Sequence, residues 1–193
     1  MNLEVDGKIA IVTGAGGSRR ETTTSPDLSF PDIDPEDMKS VLALNYLSAV
    51  IPSQAAARIF SEKKSGVILN ISSVAGILPL TRSLTYSTGK AATISFTKWL
   101  AVHLAAQYSP ATRVNSIAPG FFLTDQNRFL LVDEDTGRMT ERGEQILHGV
   151  PMTCYGEPGE IAGAALWLVS AQASFVTGVV IPVDGGFTAY CGV

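Results

Sequence analysis

Four short, mostly apolar runs constrain the fold of this 193-residue chain more than any other feature. Such runs, rich in β-branched residues, are typical of strands buried on both faces of a parallel sheet. They are KIAIV (Lys8–Val12), VILNI (Val67–Ile71), RVNSIA (Arg113–Ala118) and VVIPV (Val179–Val183). Strands that alternate with helices predict an α/β protein, in which a parallel sheet lies between two helical layers.

The segments between the runs have the signals of helices. Asp34 to Asp37 combines an N-cap residue, a proline at the first helical position and acids in the first turn. A helix is predicted from there to about Lys63, and Pro52 in its interior favours a kink. Two more helices are predicted over residues 86–107 and 157–170.

One long connection, Gly120 to Pro151, has the length of a functional lid. The acids Asp32, Asp34, Glu36 and Asp37 lie about 20 residues after a glycine-rich stretch, where a ribose-binding acid is expected in dinucleotide-binding folds. Because no second strand precedes them, we interpret these acids as solvent-facing and helix-capping residues.

The composition predicts a single globular domain over residues 1–193. Hydrophobic residues make up 46% of the chain, the net charge is −4 and the pI is about 5.1. An acidic surface disfavours nucleic acid and anionic membranes as main partners. No apolar run reaches the ~18 residues of a membrane span, so we expect a soluble, cytoplasmic protein. Cys154 and Cys191 show no metal-ligand spacing, and we expect reduced thiols and no metal.

Tyr86 and Lys90 are the strongest candidates for catalysis. Four residues apart at the start of a helix, they share one face, and their ends can reach one pocket. A nearby ammonium favours the phenolate and so lowers the pKa of a tyrosine from about 10. A shift of about 3 units takes about 4 kcal/mol, at ~1.36 kcal/mol per unit. The spacing alone is a weak signal, but Ser73 follows a buried strand, where ligands of parallel sheets bind.

The order of several motifs resembles the short-chain dehydrogenase/reductase family. The matching pieces are LNYLSAV, ILNISS, YSTGK, RVNSIAPGFFLT and FVTGVVIPVDGG. The resemblance covers about residues 22–193 and implies a Rossmann-like α/β/α fold and an NAD(P)-dependent oxidoreductase. Three segments are similar to sequences of the D-mannonate oxidoreductase (fructuronate reductase) branch: PLTRSLTYSTGKAA, APGFFLTDQNRFLL and the final CGV. This resemblance implies a sugar-acid substrate.

The resemblance implies catalytic roles for four residues. Tyr86 would be the general acid/base, and Lys90 would lower its pKa and hold the nicotinamide ribose. Ser73 would hydrogen-bond the carbonyl or alcohol oxygen of the substrate. Asn45 would hold a water molecule in the proton relay behind Lys90.

The resemblance also implies where cofactor and substrate lie. Gly14 would begin the cofactor loop, Pro119 and Gly120 would form a shelf beside the nicotinamide, and Thr124 would lie near its carboxamide. The carboxylate of a sugar acid calls for a cationic clamp, for which Arg128 is the first candidate and Arg82 the second. His103 is expected to pack or to lie at an interface, and His148 to be exposed to solvent.

The glycine-rich stretch GAGGSRRETTTSP departs from the family pattern, because no helix follows it. We interpret it as a hybrid of two loops, one from after the first strand and one from after the fourth, joined near residues 14–18. At ~30 residues per βαβ unit, roughly 70 residues of the adenosine-binding half are then missing. The first strand would take the place of the fourth and pair with VILNI, in a sheet of about four strands instead of seven.

Two interpretations follow from this deletion. In the first, the chain is an NAD(P)-dependent oxidoreductase of a mannonate-like or fructuronate-like sugar acid, with cofactor binding weakened or lost. In the second, it is a non-catalytic remnant that folds or dimerises. The helices over residues 37–63 and 86–107 resemble those that pair subunits in this family, so we expect a homo-oligomer.

Overall fold

The computed structural model of the chain describes residues 10–13, 30–81, 83–124, 128–133 and 136–192. In these residues four parallel strands form one sheet, in the order β1-β2-β3-β4. The strands are β1 (Ala10–Thr13), β2 (Gly66–Ile71), β3 (Thr112–Pro119) and β4 (Val180–Val183). The predicted α/β class with about four parallel strands is confirmed.

Six α-helices connect and cover the strands in the described part of the chain: α1 (Pro35–Leu42), α2 (Ser48–Lys63), α3 (Leu84–Gln107), α4 (Arg128–Leu131), α5 (Glu141–His148) and α6 (Pro158–Val169). The segment predicted as a lid contains the two short helices α4 and α5. None of the described helices combines the length and the apolar character that crossing a membrane requires.

The first helical segment begins as predicted and contains an irregularity that the sequence did not predict. The Asp34 carboxylate caps α1 by accepting a hydrogen bond from the Glu36 N–H at 2.9 Å, which is one of the capping roles expected for these acids. The irregularity is a short π-helical segment, Ala43–Leu47, called the π-turn below, and Pro52 lies inside α2. A π-turn widens the helix locally, and this one holds Asn45 with only 3% of its surface exposed.

The core lies on both faces of the sheet because alternate residues of a strand point to opposite sides. Ile68 packs with Phe60 of α2 and Leu104 of α3 on one face. Leu69 packs with Leu168 of α6 on the other face. Both faces are therefore covered, which gives the three layers predicted from the apolar runs.

Strand β1 pairs directly with β2 in the predicted way. Their register places Ala10 opposite Val67 and Thr13 opposite Asn70. The side chains of Thr13 and Asn70 also form a hydrogen bond, in which the Thr13 hydroxyl donates to the Asn70 amide oxygen at 2.6 Å. The pairing brings the carboxyl ends of β1, β2 and β3 to one edge of the sheet, where ligands of parallel sheets bind.

Candidate active site

Lys90 and Tyr86 lie together on the first turns of α3, as their spacing predicts. The Lys90 side chain is buried, and its ammonium donates to the carbonyl of Ile71, at the end of β2, at 3.3 Å. The same nitrogen lies 5.6 Å from the centre of the half-buried Tyr86 ring. The strand end thus holds a cation over the Tyr86 ring.

Ser73 lies two residues past the end of β2 and begins a tight turn, Val74–Gly76. Its hydroxyl oxygen accepts a hydrogen bond from the Ala75 N–H at 3.1 Å, which leaves the hydroxyl proton to be donated. The turn packs closely on α3, because a Cβ added at Gly76 would stand 2.7 Å from the backbone carbon of Lys90. This close approach brings Ser73 to the part of α3 that carries Tyr86 and Lys90.

Asn45 reaches the same part of α3 from the π-turn. Its side-chain amide donates to the Val41 carbonyl at 3.0 Å. Its backbone carbonyl accepts from the Thr93 hydroxyl at 3.0 Å, one turn beyond Lys90. Asn45, Ser73, Tyr86 and Lys90 therefore border one stretch of helix, and the structure brings together the four residues that the resemblance singled out.

The predicted cofactor shelf follows β3 at the same edge of the sheet. Pro119 is the last residue of β3, and the Gly120 N–H donates to the Val183 carbonyl of β4 at 2.8 Å. A Cβ at Gly120 would stand 2.7 Å from Asp184, so this turn needs glycine for close approach.

The next residues lead from the shelf towards the predicted lid. Thr124 is half-buried, and its carbonyl accepts from the Arg128 N–H at 2.9 Å. Arg128 thus begins α4 one turn after Thr124, with an exposed side chain.

Two predicted residues, Gly14 and Arg82, lie outside the described residues. His148 is exposed, as predicted. His103 packs as predicted, stacked on Trp99 with ring centres 4.7 Å apart. Within the described ranges no three His, Cys, Asp or Glu side chains gather as metal ligands.

Sequence reasoning missed the buried threonines behind the site, Thr93 and Thr97. Each is at most 1% exposed, and each makes a hydrogen bond toward the site or the sheet. The signal was present, because these threonines follow Lys90 by three and seven residues and so share its face of α3. Polar residues on a helix face that packs against a sheet need internal partners.

Two ionisable groups outside the site have perturbed pKa values. Burial lowers the pKa of the Arg113 guanidinium, which donates to the carbonyls of Leu168, Val176 and Ser170 at 2.8–3.2 Å. Burial raises the pKa of the Tyr155 phenol, which donates to the Gly143 carbonyl at 2.9 Å. The first group ties β3 to the end of α6, and the second ties the lid to the segment that follows it.

The site fits the nicotinamide end of a dinucleotide. The buried Lys90 ammonium and the Tyr86 phenol are donors of the kind that ribose hydroxyls accept, and the Pro119–Gly120 shelf lies at the same edge of the sheet. In the described sheet β1 is an edge strand.

Comparisons with known proteins agree with this geometry. The profile of a family described as Enoyl-(Acyl carrier protein) reductase matches residues 7–188. The chain is 40% identical to the uncharacterized oxidoreductase UxuB of Bacillus subtilis over 192 residues, which cover 95% of this chain and 68% of that protein.

Solved structures are similar as well. A chain from Haemophilus influenza, assigned as a D-mannonate oxidoreductase with bound NAD, is 40% identical and superposes with a TM-score of 0.83 over 95% of this chain and 68% of that chain. A chain from Agrobacterium tumefaciens, assigned as a 2-deoxy-D-gluconate 3-dehydrogenase with bound NADP, is 29% identical, with a TM-score of 0.79 over 96% of this chain and 72% of that chain.

The parallel sheet, with its polar residues at the carboxyl ends of the strands, defines a Rossmann-like nucleotide-binding protein. The matches above show that the chain belongs to the short-chain dehydrogenase/reductase family. Proteins of this family are NAD(P)-dependent oxidoreductases. The resemblance found in the sequence is confirmed.

Proposed function

We propose that this chain is an NAD(P)-dependent oxidoreductase that interconverts a secondary alcohol and a ketone of a sugar acid. The observation that carries the proposal is the buried Lys90 ammonium, bonded to the Ile71 carbonyl and 5.6 Å from the centre of the Tyr86 ring. A buried cation next to a phenol, at a strand end of this fold, serves to make the phenol an acid/base near neutral pH.

In the proposed reaction Tyr86 takes the proton of the substrate hydroxyl on oxidation and returns it on reduction. The Lys90 ammonium favours the phenolate, and Ser73 donates its hydroxyl proton to the substrate oxygen. Asn45 holds a water molecule that connects Lys90 with solvent. The nicotinamide cofactor, NAD or NADP, supplies the hydride chemistry when bound. Lys90 would hold its ribose, and Gly14, Pro119, Gly120 and Thr124 would border it.

The sugar-acid substrate is supported by two observations. The Haemophilus structure that is 40% identical is assigned as a D-mannonate oxidoreductase. Arg128 begins α4 one turn after Thr124, at the start of the lid, and its side chain is exposed. A guanidinium binds a carboxylate with two parallel hydrogen bonds, so Arg128 is the proposed clamp for the acid group.

Thermal unfolding of the purified chain, with and without NADH or NADPH, tests the proposal. A ligand at ~100 times its dissociation constant stabilises the folded state by about 2.7 kcal/mol, so the melting temperature should rise with at least one cofactor. Turnover of mannonate or fructuronate is then expected. Tyr86→Phe is the matched control: it should lose turnover and, because Lys90 still holds the ribose, keep a reduced cofactor response. A cooperative melt whose melting temperature changes with neither cofactor would contradict the proposal.

The alternative is a folded remnant without catalysis. It is favoured by the direct pairing of β1 with β2 and by the 68% of the Bacillus relative that the chain covers. We infer that an internal segment of the adenosine-binding half is absent near residues 14–18. In this alternative the chain melts cooperatively, binds neither cofactor and turns over no sugar acid.

We also propose that two copies of the chain pair through α2 and α3. These helices and Tyr46 of the π-turn line an open cavity of about 660 Å³, whose walls include Phe96, Trp99 and His103 of α3. Trp99 is 60% exposed and Val102 71% exposed. An exposed apolar patch of this kind marks an association surface. Sedimentation should show a dimer or a larger assembly, and Trp99→Glu should give monomers. A monomeric wild-type chain at high concentration would overturn this proposal.

A further inference from the structure

The hydroxyl of Thr93 makes a contact that its own helix does not require. A threonine inside a helix commonly donates to the carbonyl four residues earlier, and Thr93 has that acceptor, the Gly89 carbonyl, at 3.2 Å. Its hydroxyl also reaches the backbone carbonyl of Asn45, on a different helical segment, at 3.0 Å. Thr93 is 1% exposed, so no solvent competes for this hydrogen bond.

A chain of buried hydrogen bonds connects Thr93 with strands β2 and β1 of the sheet. The Thr97 hydroxyl donates to the Thr93 carbonyl at 2.8 Å. The Asn70 amide of β2 donates to the Thr97 hydroxyl oxygen at 2.8 Å, and the Thr13 hydroxyl of β1 donates to the Asn70 amide oxygen at 2.6 Å. All these hydrogen bonds donate in the same direction, from Thr13 towards Thr93. Together they hold the turn of α3 that carries Thr93 at a set position on the sheet.

The acceptor at the other end of this chain of hydrogen bonds lies in the π-turn. A π-turn is a local departure from helical geometry, and such departures persist where the surrounding structure holds them. The Thr93 hydroxyl is a contact from outside the π-turn to its central residue, Asn45. Three residues before Thr93, on the same face of α3, lies Lys90.

We propose that Thr93 is a positioning residue of the acid–base site. Its hydroxyl holds the Asn45 carbonyl in the π-turn and thereby sets the place of Asn45 relative to Lys90, on which the proton path to Tyr86 depends. Because Thr93 is buried, we expect it to touch neither substrate nor cofactor. The inference rests on the proposed function of Asn45, Lys90 and Tyr86, and it adds a residue outside that group.

Three variants test this role. Thr93→Val removes the hydroxyl and keeps the shape, and Thr93→Ser restores the hydroxyl. Thr88→Val is the matched control, because the exposed Thr88 hydroxyl makes the same kind of bond within α3, to the Leu84 carbonyl at 2.9 Å, and does not contact Asn45. For each variant, kcat, KM, the pH profile of kcat and the melting temperature are measured.

A second readout does not need turnover. The ionisation of Tyr86 is followed by ultraviolet difference absorbance, with Tyr86→Phe to identify its share of the signal. In Thr93→Val we expect kcat to fall about tenfold, with KM for the cofactor within about twofold of wild type. The pH at which Tyr86 ionises should rise by about one unit. Thr93→Ser should restore both, and Thr88→Val should change neither.

The outcomes separate this inference from the proposed function. If the wild-type chain turns over no sugar acid but Thr93→Val shifts the ionisation of Tyr86, the positioning role stands and the proposed activity fails. If Thr93→Val lowers only the melting temperature and leaves kcat, the pH profile and the ionisation unchanged, the positioning role is overturned. The same holds if Thr93→Ser does not restore the wild-type values.

Discussion

Gly89 and Asn45 are in such close contact that a Cβ added to the glycine would stand 2.8 Å from the Cβ of the asparagine. Real Cβ atoms do not approach to that distance, so α3 and the π-turn can pack as they do only with glycine at this position. The absent side chain at Gly89 thus lets Asn45 come within reach of the helix that carries Tyr86 and Lys90.

Gly89→Ala is therefore expected to force the π-turn away from α3. The clash should outweigh the gain of up to ~1 kcal/mol in helix propensity, and the free energy of unfolding should fall by about 1–3 kcal/mol. Gly163→Ala in α6 is the control, because nothing lies within 4 Å of a Cβ there, and it should stabilise the chain by about 0.5–1 kcal/mol. Chemical denaturation measures both changes. A neutral Gly89→Ala would show that the two segments separate easily.

Arg113 is expected to be essential for the packing of α6 on the sheet. Its guanidinium serves three carbonyls, two of which belong to Leu168 and Ser170 at the end of α6. Arg113→Met leaves these buried acceptors without their donor and should cost about 3 kcal/mol of stability. Arg58→Met, at an exposed position of α2, should change stability by less than about 0.5 kcal/mol. Equal effects of the two substitutions would refute the capping role.

Tyr155 should make stability depend on alkaline pH. Burial raises the pKa of its phenol, so the folded state favours the neutral form, which donates to the Gly143 carbonyl. For an acid with a raised folded pKa, the stability contribution is complete below the unfolded value of about 10 and is lost as pH rises through the folded value.

Melting temperatures between pH 8 and pH 11 check this expectation. Wild type should lose more stability than Tyr155→Phe over that range, and Tyr190→Phe, which alters an exposed tyrosine, should follow wild type. Parallel curves for wild type and Tyr155→Phe would show that the phenol of Tyr155 does not contribute in this way.

Arg128 is expected to act on substrate affinity and not on the chemical step. Arg128→Ala should raise KM for a sugar acid by about 10–100-fold, because a hydrogen bond to a charged group contributes about 1.5–3 kcal/mol, and should leave kcat nearly unchanged. Arg58→Ala is again the exposed control. Steady-state kinetics with a sugar acid and with its uncharged sugar analogue separate the effects, since the analogue should not distinguish Arg128→Ala from wild type. An equal loss with both substrates would place Arg128 outside the carboxylate site.

Much of the fold could be predicted from the sequence, because its signals are local. The apolar runs marked the four strands to within two residues in the described part of the chain, and Asp34 followed by Pro35 marked the start of α1. The pairing of β1 with β2 was predicted from the family resemblance, in which the first and fourth strands are neighbours. The spacing of Tyr86 and Lys90 also placed both residues on one helix face.

The π-turn could not be predicted, because the contacts that hold Asn45 come from Gly89 and Thr93, more than 40 positions away. The sequence by itself determined the elements and the chemistry-bearing residue types, since periodicity, caps and side-chain chemistry act over a few residues. Only the tertiary structure decided which buried hydroxyls, glycines and carbonyls meet. Such contacts depend on how α3 and the π-turn pack together and on the sheet, which no local pattern records.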